Sequence, residues 1–258
     1  MNKIFNTLNI EKQVPELTNL GYKNLIVSGC SFTHNSSNEY CVSWPYYLRD
    51  MAGFKTVLDT SMPGAGNYHI ANSLQWAIEN DMPDPKESLV IVMWSGNDRD
   101  DFIIPRLGFT NGPHKFHYST KSGTAITGGA AGISNLWPEL AEKMKRFTEL
   151  KTKESRAIEN YLIINATKHY LENKGFSYYF LDYIDREVPN RTLDFSIEPY
   201  LPKPLANSLN DSKLKVENLY VYSLKHEFLS DDDFHPVSEG HYQWVKNCLL
   251  PAIIKNKY

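Results

Sequence analysis

Leu89-Val90-Ile91-Val92-Met93-Trp94 is the most apolar and β-branched run in the chain. Six such residues bounded by polar and glycine positions read as a strand buried on both faces, which belongs at the centre of a parallel sheet. Shorter runs of the same kind lie on either side of it. They are Asn24-Leu25-Ile26-Val27-Ser28, ended by Gly29, and Thr56-Val57-Leu58-Asp59, followed by a Pro63-Gly64-Ala65-Gly66 turn. A fourth, Phe176-Ser177-Tyr178-Tyr179-Phe180-Leu181, is introduced by Gly175. Amphipathic stretches separate them. Residues 67–80 put Ile70, Leu74, Ala77 and Ile78 on one helical stripe. Residues 151–173 repeat Ile158, Leu162, Ala166 and Tyr170 at steps of four and stop at Lys174-Gly175, a C-cap signal. A last helix is expected from Ser238 to about Lys255, with Tyr242, Val245, Leu249 and Ile253 inward and Pro251 kinking or shortening it. Strand and helix patterns that alternate in this way predict βα units, an α/β fold with a mainly parallel sheet.

Residues 100–136 and 185–215 break the pattern, the first with repeated glycine, the second with Pro, Asn and Ser. Both are expected to be long loop excursions, a kind of segment that is usually functional or mobile in compact domains. No repeat or composition break divides the chain, so residues 1–258 are expected to form one domain. The 258 residues carry 27 basic and 30 acidic side chains, a formal net charge of −3. That balance offers no general attraction to nucleic acid or to anionic lipid. No apolar run approaches the ~20 residues needed to cross a bilayer. The opening Met1-Asn2-Lys3-Ile4-Phe5-Asn6 has no leader-like apolar core. Three cysteines, Cys30, Cys41 and Cys248, are an odd and sparse set, as in reducing compartments. A soluble cytoplasmic protein without nucleic-acid or membrane partners is expected; no oligomeric state is read from the chain.

Four segments fall at the carboxyl end of a strand or in a loop after one, the edge where open α/β sheets bind ligands. They are Ser28-Gly29-Cys30-Ser31-Phe32-Thr33, Pro63-Gly64-Ala65-Gly66-Asn67, Trp94-Ser95-Gly96-Asn97-Asp98 and Asp231-Asp232-Asp233-Phe234-His235-Pro236. A serine hydroxyl such as that of Ser31 attacks only when a base takes its proton. His235 is the candidate base. Asp232, three residues earlier, has the spacing to reach the imidazole Nδ1–H and leave Nε2 free. Charge developing on an attacked carbonyl needs preorganised donors. The N–H of Ser31, the N–H of Gly64 and the side-chain amide of Asn97 are candidates. Each piece also has an ordinary reading as a turn, a strand-to-helix connection or a helix cap.

Together, in this order, the blocks resemble the SGNH (GDSL-like) hydrolase superfamily. That family's pattern has serine in G-D-S, glycine in an N-x-x-x-x-G-type block, asparagine in G-x-N-D, and acid and base in D-x-x-H. The matching residues are Ser31 in Gly29-Cys30-Ser31-Phe32, Gly64 in Ser61-Met62-Pro63-Gly64, Asn97 in Ser95-Gly96-Asn97-Asp98, and Asp232 with His235. The resemblance spans nearly the whole chain. It implies a three-layer α/β/α sandwich of flavodoxin-like style, a Ser31–His235–Asp232 triad, and an oxyanion hole of Ser31, Gly64 and Asn97. The implied activity is that of a serine ester hydrolase using an acyl-enzyme, with no cofactor and no metal. Cys30 stands where the family has Asp, and Ser95 where G-x-N-D has its first Gly. Cys30 is set aside as nucleophile because it neighbours Ser31 on one turn and would point elsewhere. Gly64 is preferred to Gly66 because it follows the turn of the second strand directly.

The expected substrate is a small-molecule or glycan ester. The polar, aromatic-dotted excursions favour a carbohydrate O-acetyl ester or short-chain acyl ester over a long acyl chain, with Tyr68 and Trp94 as stacking surfaces for a sugar. Two alternatives stay open: an acyltransferase acting on a glycan, and a non-catalytic glycan-binding module of the same fold. The remaining features have plainer readings. His114 and His117 read as a polar loop pair rather than metal ligands. Asp98-Arg99-Asp100-Asp101 reads as a solvated charged loop rather than a cation site. His34 is near enough to Ser31 to line a pocket. Gly128-Gly129-Ala130-Ala131-Gly132 lacks the Gly-Lys-Ser/Thr ending of a phosphate loop and reads as a rim or lid.

Overall fold

A computed structural model of the chain describes residues 19–34, 41–96, 99–104, 117–119, 124–126, 142, 146–147, 149–182, 201–211, 213–231 and 234–257. Four strands make a parallel sheet: β1 (Asn24–Ser28), β2 (Thr56–Asp59), β3 (Ser88–Trp94) and a fourth, Ser177–Asp182, in the order β2-β1-β3-fourth. All seven residues of β3 are buried, as its unbroken apolar run requires. Edge strand β2 is exposed or half-buried along its length. After β2 the chain crosses back over β1 to build β3, so the direction of winding reverses between β1 and β3. Ligands bind at that reversal, outside the carboxyl ends of the strands.

Helices cover both faces. On one side lie α2 (Asn67–Asp81), packed on β1 and β3, and α3 (Lys153–Lys174), packed on α2 and the fourth strand. On the other, α1 (Trp44–Ala52) packs on β1, β2 and the C-terminal helix. The buried rings of Trp44 and Trp244 meet edge to face there, with centroids 6.1 Å apart. The architecture is the α/β class, three layers with a parallel sheet. Among the described residues no helix is long and apolar enough to cross a membrane.

Several local features depart from expectation. The buried stripe of α3 is Ala157, Asn160, Ile164, Thr167 and Leu171, while Ile158 and Leu162 are exposed. Steps of four drift around a helix of 3.6 residues per turn, and the buried side includes two polar residues, each with a hydrogen-bond partner. Thr167 donates to the carbonyl of Ile163 (2.9 Å) and Asn160 accepts from Asn67 (2.7 Å). The last helix does not stop at Pro251. After two separate short helices, α4 (Lys203–Asp211) and α5 (Leu219–Lys225), it runs unbroken over residues 238–257, as α6 (Ser238–Trp244), a π-turn over Val245–Leu249 and α7 (Leu250–Lys257). Proline lacks an N–H, and the π-turn, in which Leu250 N–H bonds Val245 O, absorbs the mismatch just before it. Within 100–136, Phe102–Ile104, His117–Ser119 and Thr124–Ile126 form a small antiparallel sheet rather than pure loop. His114 and Gly128–Gly132 lie outside the described residues.

Candidate active site

Ser31 sits in the turn that leaves β1. The N–H groups of Thr33 and His34 both bond the Cys30 carbonyl at 2.9 Å, closing the turn, while Cys30, Phe32 and Thr33 are buried beneath it. Ser31 itself is only half-buried. The thiol of Cys30 belongs to the core, so it is not presented beside Ser31 as a nucleophile. His235 arrives from the far end of the chain on a closed loop. Leu229 bridges Pro236, Ser230 N–H bonds the His235 carbonyl (2.8 Å), and His235 N–H bonds Ser230 Oγ (3.2 Å). Its Nε2 lies 2.7 Å from Ser31 Oγ.

The imidazole packs on Phe32, ring centroids 4.8 Å apart. Phe234, just before it, holds φ at 57°, a left-handed conformation that costs a bulky residue on the order of 1 kcal/mol. Beside His235, on α6, His241 is buried. Burial, reinforced by the neighbouring His235, pulls its pKa down to about 3, so it stays neutral and adds no second positive charge.

The turn between β2 and α2 is tied to the same place. Met62 N–H bonds the Gly29 carbonyl (3.0 Å), and Asp59 Oδ1 accepts from the Ser61 N–H (2.9 Å) and hydroxyl (2.5 Å). Burial raises the pKa of Asp59 against these bonds. Gly64 has φ 75°, where a β-carbon is costly, and among the described residues its N–H meets no acceptor. Gly66 is different. Its N–H is taken by Asp101 Oδ1 (2.9 Å), and a β-carbon there would lie 2.7 Å from Asp101 Oδ2. Asp101 Oδ2 also accepts the His69 N–H at 2.7 Å, so one carboxylate caps α2. Burial pushes the Asp101 pKa up to about 6, opposed by those two N–H bonds.

Asn67 joins this turn to the end of β3. Its Nδ2 donates to Ser95 O (3.1 Å) and Asn160 Oδ1 (2.7 Å), and its Oδ1 accepts the Ser95 N–H (2.8 Å). Asp100, 8% exposed, accepts from Lys151 (3.0 Å) and Arg156 (2.7 Å) of the α3 side. The run 98–101 is therefore not a solvated loop in its second half: both Asp100 and Asp101 are committed partners.

Solved structures with this arrangement of layers exist. An acetylxylan esterase from Geobacillus stearothermophilus superposes with a TM-score of 0.52 at 10% identity, over 92% of this chain and 96% of its own. A psychrotrophic esterase from Pseudoalteromonas gives 0.50 at 10% identity, over 90% and 97%. A protein assigned to the lipolytic G-D-S-L family from Desulfitobacterium hafniense gives 0.50 at 12% identity, over 92% and 99%. The chain has the SGNH hydrolase fold. No protein-family model matches the sequence, and no curated protein matches it.

On the SGNH fold the residues singled out in the sequence distribute unevenly. Ser31 and His235 meet. Gly64 stands on the turn bonded to the Ser31 segment through Gly29 and Met62. Asn97 and Asp232 lie outside the described residues. Tyr68 is 45% exposed at the start of α2. Trp94 offers no stacking surface: it is 1% exposed, its ring packed edge-on to Phe180 with centroids 5.3 Å apart, because the run that makes β3 central buries its last residue too. His34 lies within electrostatic reach of Asp59. Among the described residues no cluster of His, Cys, Asp and Glu has the make-up of a metal site. The sequence reading missed Asn67 and Asp101 as parts of the site. A signal for Asn67 was its place directly after Gly66 in a segment already singled out; nothing local marks Asp101.

Proposed function

We propose that the chain is a serine ester hydrolase that works through an acyl-enzyme, acting on a carbohydrate O-acetyl ester or another short-chain acyl ester. The observation that carries this reading is the 2.7 Å approach of His235 Nε2 to the Ser31 hydroxyl. Esterases among the solved structures of the same fold support it. In the proposed reaction, Ser31 Oγ attacks the ester carbonyl carbon as its proton passes to His235 Nε2. The negative charge moves to the carbonyl oxygen, which is held by the N–H of Ser31, the N–H of Gly64 and the amide of Asn97. Asp232 is assigned to His235 Nδ1–H, where it would fix the tautomer and stabilise the imidazolium.

Collapse of the tetrahedral intermediate breaks the bond to the alcohol, which leaves with the proton from His235 Nε2. Water then attacks the acyl-Ser31 ester, giving a proton to His235. The second collapse releases the acid and returns the proton to Ser31 Oγ. The prior commitment of the Gly66 N–H to Asp101 favours Gly64 over Gly66 as the backbone donor.

Replacing Ser31 with Ala tests the assignment. Turnover of p-nitrophenyl acetate should vanish while the circular dichroism spectrum stays that of the parent chain. Activity retained at the parent level would overturn it.

A further inference from the structure

Asp100 is a buried charged group that the proposed reaction does not use. Its two carboxylate oxygens take different cations: Oδ1 accepts from Lys151 Nζ (3.0 Å) and Oδ2 from an Arg156 guanidinium nitrogen (2.7 Å). All three side chains are withdrawn from water, with exposures of 8% for Asp100, 18% for Lys151 and 15% for Arg156. Lys151 is shared with Glu159 (2.6 Å). Desolvating such charges is costly, and apolar side chains of similar volume often stabilise a fold as well or better. What the ion pairs add is direction. Each oxygen has a fixed partner, and a satisfied buried network holds one arrangement of the backbone that carries it.

The neighbours of Asp100 show what is being directed. Side chains alternate along residues 99–101. Asp100 turns to α3, while Arg99 and Asp101 on either side of it reach the turn between β2 and α2. Arg99 donates to the Ala65 carbonyl (3.4 Å), and Asp101 accepts the Gly66 N–H (2.9 Å) and the His69 N–H (2.7 Å). The approach is close: a β-carbon at Gly66 would lie 2.7 Å from Asp101 Oδ2 and 3.0 Å from the Arg99 carbonyl oxygen. The start of the same loop, Ser95, is held by Asn67 of α2 through both of its backbone groups. Asn97 falls between these two anchors in the chain, and Gly64 stands just before Ala65 and Gly66. Both are donors of the oxyanion hole proposed above.

We infer that Asp100 is a positioning residue for that oxyanion hole: its ion pairs with Lys151 and Arg156 brace the loop after β3 against α3, and the loop in turn sets the Gly64 turn through Asp101. The inference rests on the hydrolase reading for the reaction it serves, but the brace itself can be measured without turnover.

Asp100→Asn keeps the shape of the side chain and removes its charge. With p-nitrophenyl acetate, kcat should fall about tenfold, short of the roughly hundredfold or more that losing an oxyanion donor outright costs, while KM stays within about a factor of two. Arg156→Met should act in the same direction, and Arg156→Lys, which keeps a cation opposite Asp100, should recover most of the rate. An ion pair that only stabilises the fold would show in urea unfolding and leave kcat alone. If Asp100→Asn does not fold, the two Arg156 variants make the comparison. A parent-level kcat in the folded variant, or a loss that Arg156→Lys does not relieve, overturns the role.

Proton–nitrogen correlation spectra of the Ser31→Ala chain read the brace alone. Adding Asp100→Asn should shift the amide resonances of Gly64 and Gly66; unmoved resonances also overturn the inference. Activity lost in Ser31→Ala but kept at the parent level in Asp100→Asn would sink the positioning and leave the hydrolase reading standing. Activity kept in Ser31→Ala, with the two glycine amides shifted by Asp100→Asn, would do the opposite.

Discussion

His235 Nε2 stands 2.7 Å from the Ser31 hydroxyl although 204 positions separate the two residues. The turn after β1 and the closed loop before α6 each have their own hydrogen bonds, so the pair is held from both sides rather than by its own contact. His235→Gln keeps a polar side chain but cannot shuttle a proton. With p-nitrophenyl acetate, kcat should fall by about a thousandfold, within the usual contribution of general acid–base catalysis, with KM changed far less. A kcat within a factor of a few of the parent chain would mean that His235 is not the base.

Asn67 holds the Gly64 turn to the end of β3 through both the N–H and the carbonyl of Ser95. Asn67→Ala leaves those groups and the Asn160 amide oxygen buried without this partner, at a cost of about 1–3 kcal/mol. Urea unfolding should show that loss. Because the donors on either side of Asn67 would no longer be held in register, kcat should drop more than KM rises. A destabilised variant with an unchanged kcat would reduce Asn67 to a purely structural role.

Asp101 makes a pH prediction with a definite sign. Its folded pKa of about 6 lies above the ordinary 3.8. Below that ordinary value the carboxyl is protonated in folded and unfolded chains alike, and its contribution to stability is fully present. As pH rises towards 6 the unfolded chain ionises first, so the folded state holds the extra proton and stability declines, by about 3 kcal/mol across the window. Above it the contribution is flat. Asp101→Asn removes this titration. The urea-derived stability of the parent chain minus that of the variant should therefore shrink between pH 4 and 7 by roughly this amount; a constant or growing difference would contradict the assignment.

The strands were legible because burial on two faces demands continuous apolar, β-branched residues, and Leu89–Trp94 has them. The same demand hid the true position of Trp94, since an aromatic ring at a strand end suits a core and a binding rim equally well. Helix α3 was legible in extent, down to the left-handed Gly175 at its end, but not in orientation. Its buried side carries Asn160 and Thr167, whose cost is met by Asn67, 93 positions away, and by a backbone carbonyl, and hydropathy cannot register such partners. Helix α1 carries a signature that went unread: Ser43 stands before Trp44-Pro45, the buried Trp44, Leu48, Met51 and Ala52 fall at helical spacing, and a left-handed Gly53 ends it. Ser31 and His235 could be read only together, because four short blocks stand in the order of the SGNH pattern; each residue alone reads as an ordinary turn or loop position. Asp101 could not, because a carboxylate that caps a helix 32 and 35 positions earlier looks, in sequence, like any surface acid.

The role proposed for Ser31 is that of a nucleophile activated by His235. Treating the folded chain with an alkyl fluorophosphonate and mapping the adduct by peptide mass spectrometry tests it most directly. The expected result is a single adduct on Ser31 that forms much more slowly in His235→Gln. An unmodified Ser31, or an adduct on another residue in its place, would contradict the account.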